Sequence, residues 1–253
     1  MIKIFRHIRQ HYISKGKTKK YLLYAIGEIV LVVIGILMAL QINNWNENRS
    51  ALKEELHMLK ALKIGLESDF SDLKFNEKRI ISSIASASVV IHSLENNLPY
   101  RDSISDYIGD MMFTVIFEHS TSAFETLKSK GINLIKNDTL RDDIISVYDS
   151  GYSFFIRNES SIILDETERA LRDLFSTRFE ESYVYDFNAP NYKPRLIPLN
   201  YEALKTDQEF KYFLKSYRNR LQLFLNFHYQ KKLIKTVKAL ILSIDLEIKN
   251  LEA

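Results

Sequence analysis

Cysteine is absent from the 253-residue chain. Disulfides, thiolate metal sites and cysteine nucleophiles are thereby excluded. Glycine and proline are scarce, with 7 and 4 residues. An all-β chain needs frequent turns, so that class is disfavoured. The few glycines build no phosphate-binding loop, and no nucleophile elbow is present. Metal-ligand patterns are equally thin. His7 and His11 share a helix face but sit among positive charges with no carboxylate ligand. Glu118-His119 lacks the second histidine of a zinc helix. His228 interrupts an apolar seam and reads as a core residue. The adjacent pairs Glu54-Glu55, Asp142-Asp143 and Glu180-Glu181 diverge on a helix and read as solvated surface. No catalytic, cofactor-binding or metal-ligating set is expected, and the chain reads as non-enzymatic.

Acidic residues are also missing from the first 20 positions, where Lys3, Arg6, Arg9, Lys15, Lys17, Lys19 and Lys20 stand. The whole chain carries 35 basic and 32 acidic residues. Beyond the first 20 the balance is 28 to 32, a net of −4. The basicity is therefore a local tail suited to anionic lipid. The larger remainder lacks the basic excess that a nucleic-acid partner requires.

Long apolar runs are rare as well, with one exception: Tyr21 to Ile42, YLLYAIGEIVLVVIGILMALQI. As a helix its 22 residues rise roughly 33 Å, against a bilayer core of about 30 Å. Tyr21 and Tyr24 at one end and Trp45 at the other suit the headgroup level. No small-residue pair with cleavage-site spacing follows, so an uncleaved signal anchor is expected. The basic flank puts the N-terminus in the cytoplasm. The predicted location is the inner (cytoplasmic) membrane, with the C-terminal domain periplasmic. Glu28 lies inside the span, where a carboxylate costs about 2.5–3.5 kcal/mol. Ala25, Glu28, Val32, Gly35 and Ala39 recur in steps of three and four, and three of them are small. This seam suits a homo-oligomer or a partner membrane helix. The alternative is that Glu28 snorkels to the cytoplasmic face or bonds Tyr24.

From Asn43 onward the pattern is helical. Leu52, Leu56, Leu59, Leu62 and Leu66 mark one face. Further helices are predicted from about Asn76 to Asn96, Ser103 to Phe117 and Ser122 to Lys130, the last closed by Gly131. A long segment opens at Asp138 or Thr139, with Gly151 midway. Asp207 opens the last segment, whose alternating apolar steps shift phase near His228 and resemble a coiled-coil seam. The segment Ser182 to Asn200 holds three of the four prolines and Tyr183, Tyr185, Phe187 and Tyr192. It reads as a crossover loop or as a loop that contacts a ligand or partner. The expected fold is all-α: basic tail 1–20, transmembrane helix 21–42, stalk helix 43–70 and helical bundle 71–253.

The run KYLLYAIGEIVLVVIGILMALQINNWNE, Lys20 to Glu47, resembles the N-terminal signature of an uncharacterised membrane-protein family of Bacteroidota. The segment Thr121 to Asp149 is similar to the same family. The resemblance implies an anchor followed by a helical domain and supplies no activity. The chain is thus expected to be a scaffold or partner-binding module. The alternatives are a membrane-anchored sensor signalling through a partner and, third, an enzyme of unrecognised type.

Overall fold

The computed structural model describes residues 18–184 and 193–253. Helix α1 runs without interruption from Thr18 to Glu95. No proline breaks those 78 residues. The stretch 76–96, predicted as a separate helix, is therefore the end of α1. Asn97 stops it with a left-handed backbone, φ 53°. The Leu98 N–H donates to Ser93 O and the Asn97 N–H to Leu94 O, at 3.0 and 3.5 Å. This is a Schellman closure with asparagine in the place usual for glycine, and Pro99 follows it.

The chain divides into two compact units at Glu54/Glu55. In the first, Leu22, Ile26, Ile29, Val32, Leu37, Met38 and Ile42 face outward; Ile29 is 63% and Met38 63% exposed. In the second, α1 buries Leu59, Leu62, Leu66, Leu73, Ile80, Ala87, Val90 and Leu94. These positions follow alternating steps of three and four, with gaps at 69, 76 and 83. The gaps are filled by Asp69, Asn76 and Ser83, which are buried too.

The rest of the second unit packs on that face. Helix α2 is Ser103–Met112, α3 is Ser122–Lys130, and a 3-10 turn covers Ile132–Leu134. Gly131 closes α3 at φ 102°, a conformation that favours glycine. Helix α4, Asp138–Ile145, is capped by the Asn137 side chain, which accepts from Leu140 N–H. It passes into a π-helical segment, Ser146–Tyr152, then α5, Ser153–Glu159. A second π segment, Ser160–Leu164, leads into α6, Asp165–Asp173. After the short α7, Tyr201–Leu204, α8 spans Gln208–Leu223 and α9 Lys235–Glu252. A third π segment, Phe224–Ile234, joins them. Asp207 caps α8 by accepting from Phe210 N–H. Apolar side chains from these elements meet α1 in one core, with Tyr152, Phe210, Leu214, Tyr229, Val237 and Ile244 inaccessible to solvent. The all-α expectation holds.

Two predicted boundaries move. The helix expected to reach Phe117 ends at Met112, and residues 113–121 carry neither helix nor strand. The run Thr114-Val115-Ile116 is β-branched, which disfavours helix. Within 182–200, read as a loop, the described residues include paired strand. Strand β1, Phe179–Val184, pairs antiparallel with β2, Lys193–Pro198, in the register Phe179–Pro198 to Val184–Lys193. Two prolines in β2 suit an edge, where an N–H is not needed. Arg195 ties β2 to the start of α2 through Asp102 and Asp106, at 2.7 and 2.8 Å.

Candidate functional site: the apolar helix segment and a buried polar seam

The span residues occupy α1 within the first unit. An 18-residue window there has mean hydropathy 2.5 and none of it is buried. It is long and apolar enough to cross a membrane. Ala25 and Glu28 are half-buried, while Val32, Gly35 and Ala39 are exposed. No atom lies within 4 Å of the space a Cβ would take at Gly35. Three- and four-residue steps set all five on one helix face. Of the basic flank, Lys19 and Lys20 stand in the first turn of α1; Lys3, Arg6, Arg9, Lys15 and Lys17 lie outside the described residues. Tyr183 is in β1 opposite Pro194. Tyr185, Phe187 and Tyr192 lie outside the described residues.

A second constellation was not anticipated. Residues 110–136 run back along α1, and polar side chains of α1 hold them through the backbone. Ser83 Oγ donates to Asp110 O at 3.4 Å, and Asn76 Nδ2 to Ile116 O at 3.0 Å. Asp72 accepts from Glu118 N–H at 3.2 Å, and Asp69 from Ser120 N–H at 2.7 Å. Glu55 accepts from Lys136 N–H at 2.7 Å. Residues 113–121, which carry neither helix nor strand, have no backbone ladder of their own, and their buried N–H and C=O groups must find partners. The seam supplies them. Glu55, expected on the surface, is only 2% exposed for this reason.

Opposite this seam stand Tyr152 and Glu159. Tyr152 Oη donates to Asp69 Oδ2 at 2.8 Å. Glu159 Oε2 accepts from Phe117 N–H at 2.8 Å, and its Oε1 is buried without a hydrogen-bond partner among the described residues. Burial raises the Asp69 carboxyl against the pull of Ser120 N–H and Tyr152 Oη. Burial, with the nearby Asp72 charge, pushes Glu159 up to about 7. His119 lies edge-on to Tyr152, with ring centroids 4.9 Å apart. Among the described residues no group of three or more metal-ligating side chains is present.

His228 is not a core residue. It is half-buried. The π turn around it adds a residue to the step, so Tyr229 takes the core position at zero exposure. The polar seam itself left a trace in the sequence. The three-four spacing of apolar residues on α1 continues unbroken from Leu59 to Leu94 if Asp69, Asn76 and Ser83 are counted in it.

A family model described as a family of unknown function, DUF6090, matches residues 28–168. That is more than half of the chain. The chain belongs to this family. The match takes in the apolar segment from Glu28 onward and every member of the polar seam, together with Tyr152 and Glu159. No curated protein and no solved structure matches the chain.

Proposed function

We propose that this DUF6090 member is a single-pass inner-membrane protein of the Bacteroidota type, with an extracytoplasmic helical bundle that serves as a scaffold or partner-binding module. One observation carries this reading: an outward-facing apolar helix segment directly follows seven basic residues and no acidic ones. Positive charge of that kind is retained in the cytoplasm. The bundle beyond it is mildly acidic and sits where a partner on the far side would meet it. The seam of Ala25, Glu28, Val32, Gly35 and Ala39 supports pairing of the span with a second copy or a partner helix. The basic flank, Lys3 to Lys20, supports contact with anionic lipid.

The absence of cysteine makes the test clean. Single cysteines are introduced by Lys15→Cys and Lys238→Cys, and intact spheroplasts are treated with a membrane-impermeant maleimide. Lys238→Cys is expected to label in intact cells and Lys15→Cys only after lysis. The reverse pattern would overturn the orientation. Crosslinking in native membranes is expected to trap the chain in a higher-mass species; a chain that stays solitary there has no scaffold role.

A further inference from the structure

Two of the three π-helical segments border one cleft of about 390 Å³. Ser150 and Gly151, from Ser146–Tyr152, form one wall; His228 and Lys232, from Phe224–Ile234, form the other. Phe155 lines it from the core at 3% exposure, and Phe154 stands in it at 41%. π turns are rare, mostly one turn long, and recur at functional sites. Here runs of 7 and 11 residues face each other. A repair of core phase accounts for the residue added near His228. The facing wall carries a second widened helix, with Ser146, Ser150 and Gly151 in its lining.

The chemistry of the lining is one-sided. No aspartate or glutamate contributes to it. Lys232 Nζ is 4.4 Å from the centroid of the Phe154 ring, so its side chain meets an aromatic face rather than a carboxylate. The His228 ring is 6.2 Å from that of Phe154. Cation–π contact engages the ammonium without neutralising its charge. The volume falls in the range of small-ligand pockets, which combine apolar walls with few polar groups.

We propose that this cleft binds a small organic monoanion on a planar apolar body. The flat body packs against Phe154 and Phe155, the anionic group pairs with Lys232, and His228 donates a hydrogen bond to it. A single formal cation favours one negative charge over a polyphosphate, and its presence disfavours a cationic ligand. The site does not depend on the scaffold role: loss of a partner complex leaves it standing.

The probe pair is naphthalene-1-acetate and its neutral amide, naphthalene-1-acetamide. Each is titrated calorimetrically into the full-length protein in lipid nanodiscs, with empty discs subtracted. The acetate is expected to bind about tenfold tighter than the amide. Lys232→Met and Phe154→Ala are each expected to weaken the acetate by about tenfold, with Lys238→Met unchanged. Lys232 is exposed and Phe154 partly so, and matched thermal unfolding of the variants excludes misfolding. Equal binding of acetate and amide, undiminished binding by Lys232→Met, or no saturable heat up to about 1 mM acetate would each overturn the site.

Discussion

Glu159 shows what burial does to one carboxyl. One oxygen holds the Phe117 N–H; the other has no hydrogen-bond partner among the described residues and is shut off from water. A buried carboxylate in that state is costly, and protonation relieves it. The folded protein therefore keeps a proton up to about pH 7 that the unfolded chain releases at an ordinary carboxyl value. The sign follows from linkage: stability is complete below the unfolded value and is lost as pH rises through the folded one. For this residue alone the loss is at most about 3 kcal/mol between acid and mildly alkaline pH. Asp69 and Asp72 are raised by burial as well and contribute in the same direction. Glu159→Gln stays neutral and still accepts from Phe117 N–H. It is expected to melt higher than the parent at pH 8, to match it below the ordinary carboxyl value, at about pH 4, and to flatten the slope between. Thermal unfolding across that range checks this, and parallel curves for the two proteins would show that folding leaves the Glu159 carboxyl at its ordinary value.

Elements differ in how far they could be read from local pattern. Helix ends were legible where one residue type answers a backbone need: Gly131 at positive φ, Asn97 before Pro99, and Asp207 over the Phe210 N–H. The phase shift near His228 was legible too, and its cause is the π segment Phe224–Ile234. The polar seam was hidden because its partners are distant in sequence. Asp69 meets Ser120 and Tyr152, and Glu55 meets Lys136. Read locally, a charged residue in an apolar stripe marks the end of a helix or a solvated face, and local pattern does not carry α1 past Phe70. The hairpin strands escaped because Pro194 and Pro198 argue for a loop unless the strand lies at an edge. The π segments bear on dynamics. Their i→i+5 geometry is less favourable than that of an α-helix, and low-stability elements open first. Peptides covering Phe224–Ile234 are expected to exchange amide hydrogens faster than those covering Gln208–Leu223. The core residues of both segments are comparably buried, so solvent exposure does not produce the difference. Hydrogen exchange by mass spectrometry measures it, and equal protection would mean that the π geometry carries no local weakness.

Over the whole molecule, apolar surface is distributed by unit. Among the described residues, those from Leu22 to Ile42 expose isoleucine, leucine, valine and methionine in a continuous stretch, a patch that water does not tolerate in a monomer. From Glu55 onward the apolar positions of α1 at three-four spacing are buried in the core, and the remaining exposed apolar residues are scattered. The charge follows the same division, with the basic excess confined to the first 20 residues. If the outward apolar segment is what requires lipid, removing it should remove the requirement and nothing else. A fragment from Ser50 to Ala253 keeps one extra turn of α1 ahead of Glu55 and retains every residue of the buried core. It is expected to be soluble and monodisperse without detergent and to unfold cooperatively at the temperature of the full chain. The full chain is expected to stay with the membrane pellet after carbonate washing. Velocity sedimentation of the fragment and fractionation of the full chain test the two halves together. A fragment that pellets with lipid would place a second membrane-binding surface on the bundle, and a full chain released by carbonate would show that Tyr21 to Ile42 does not span.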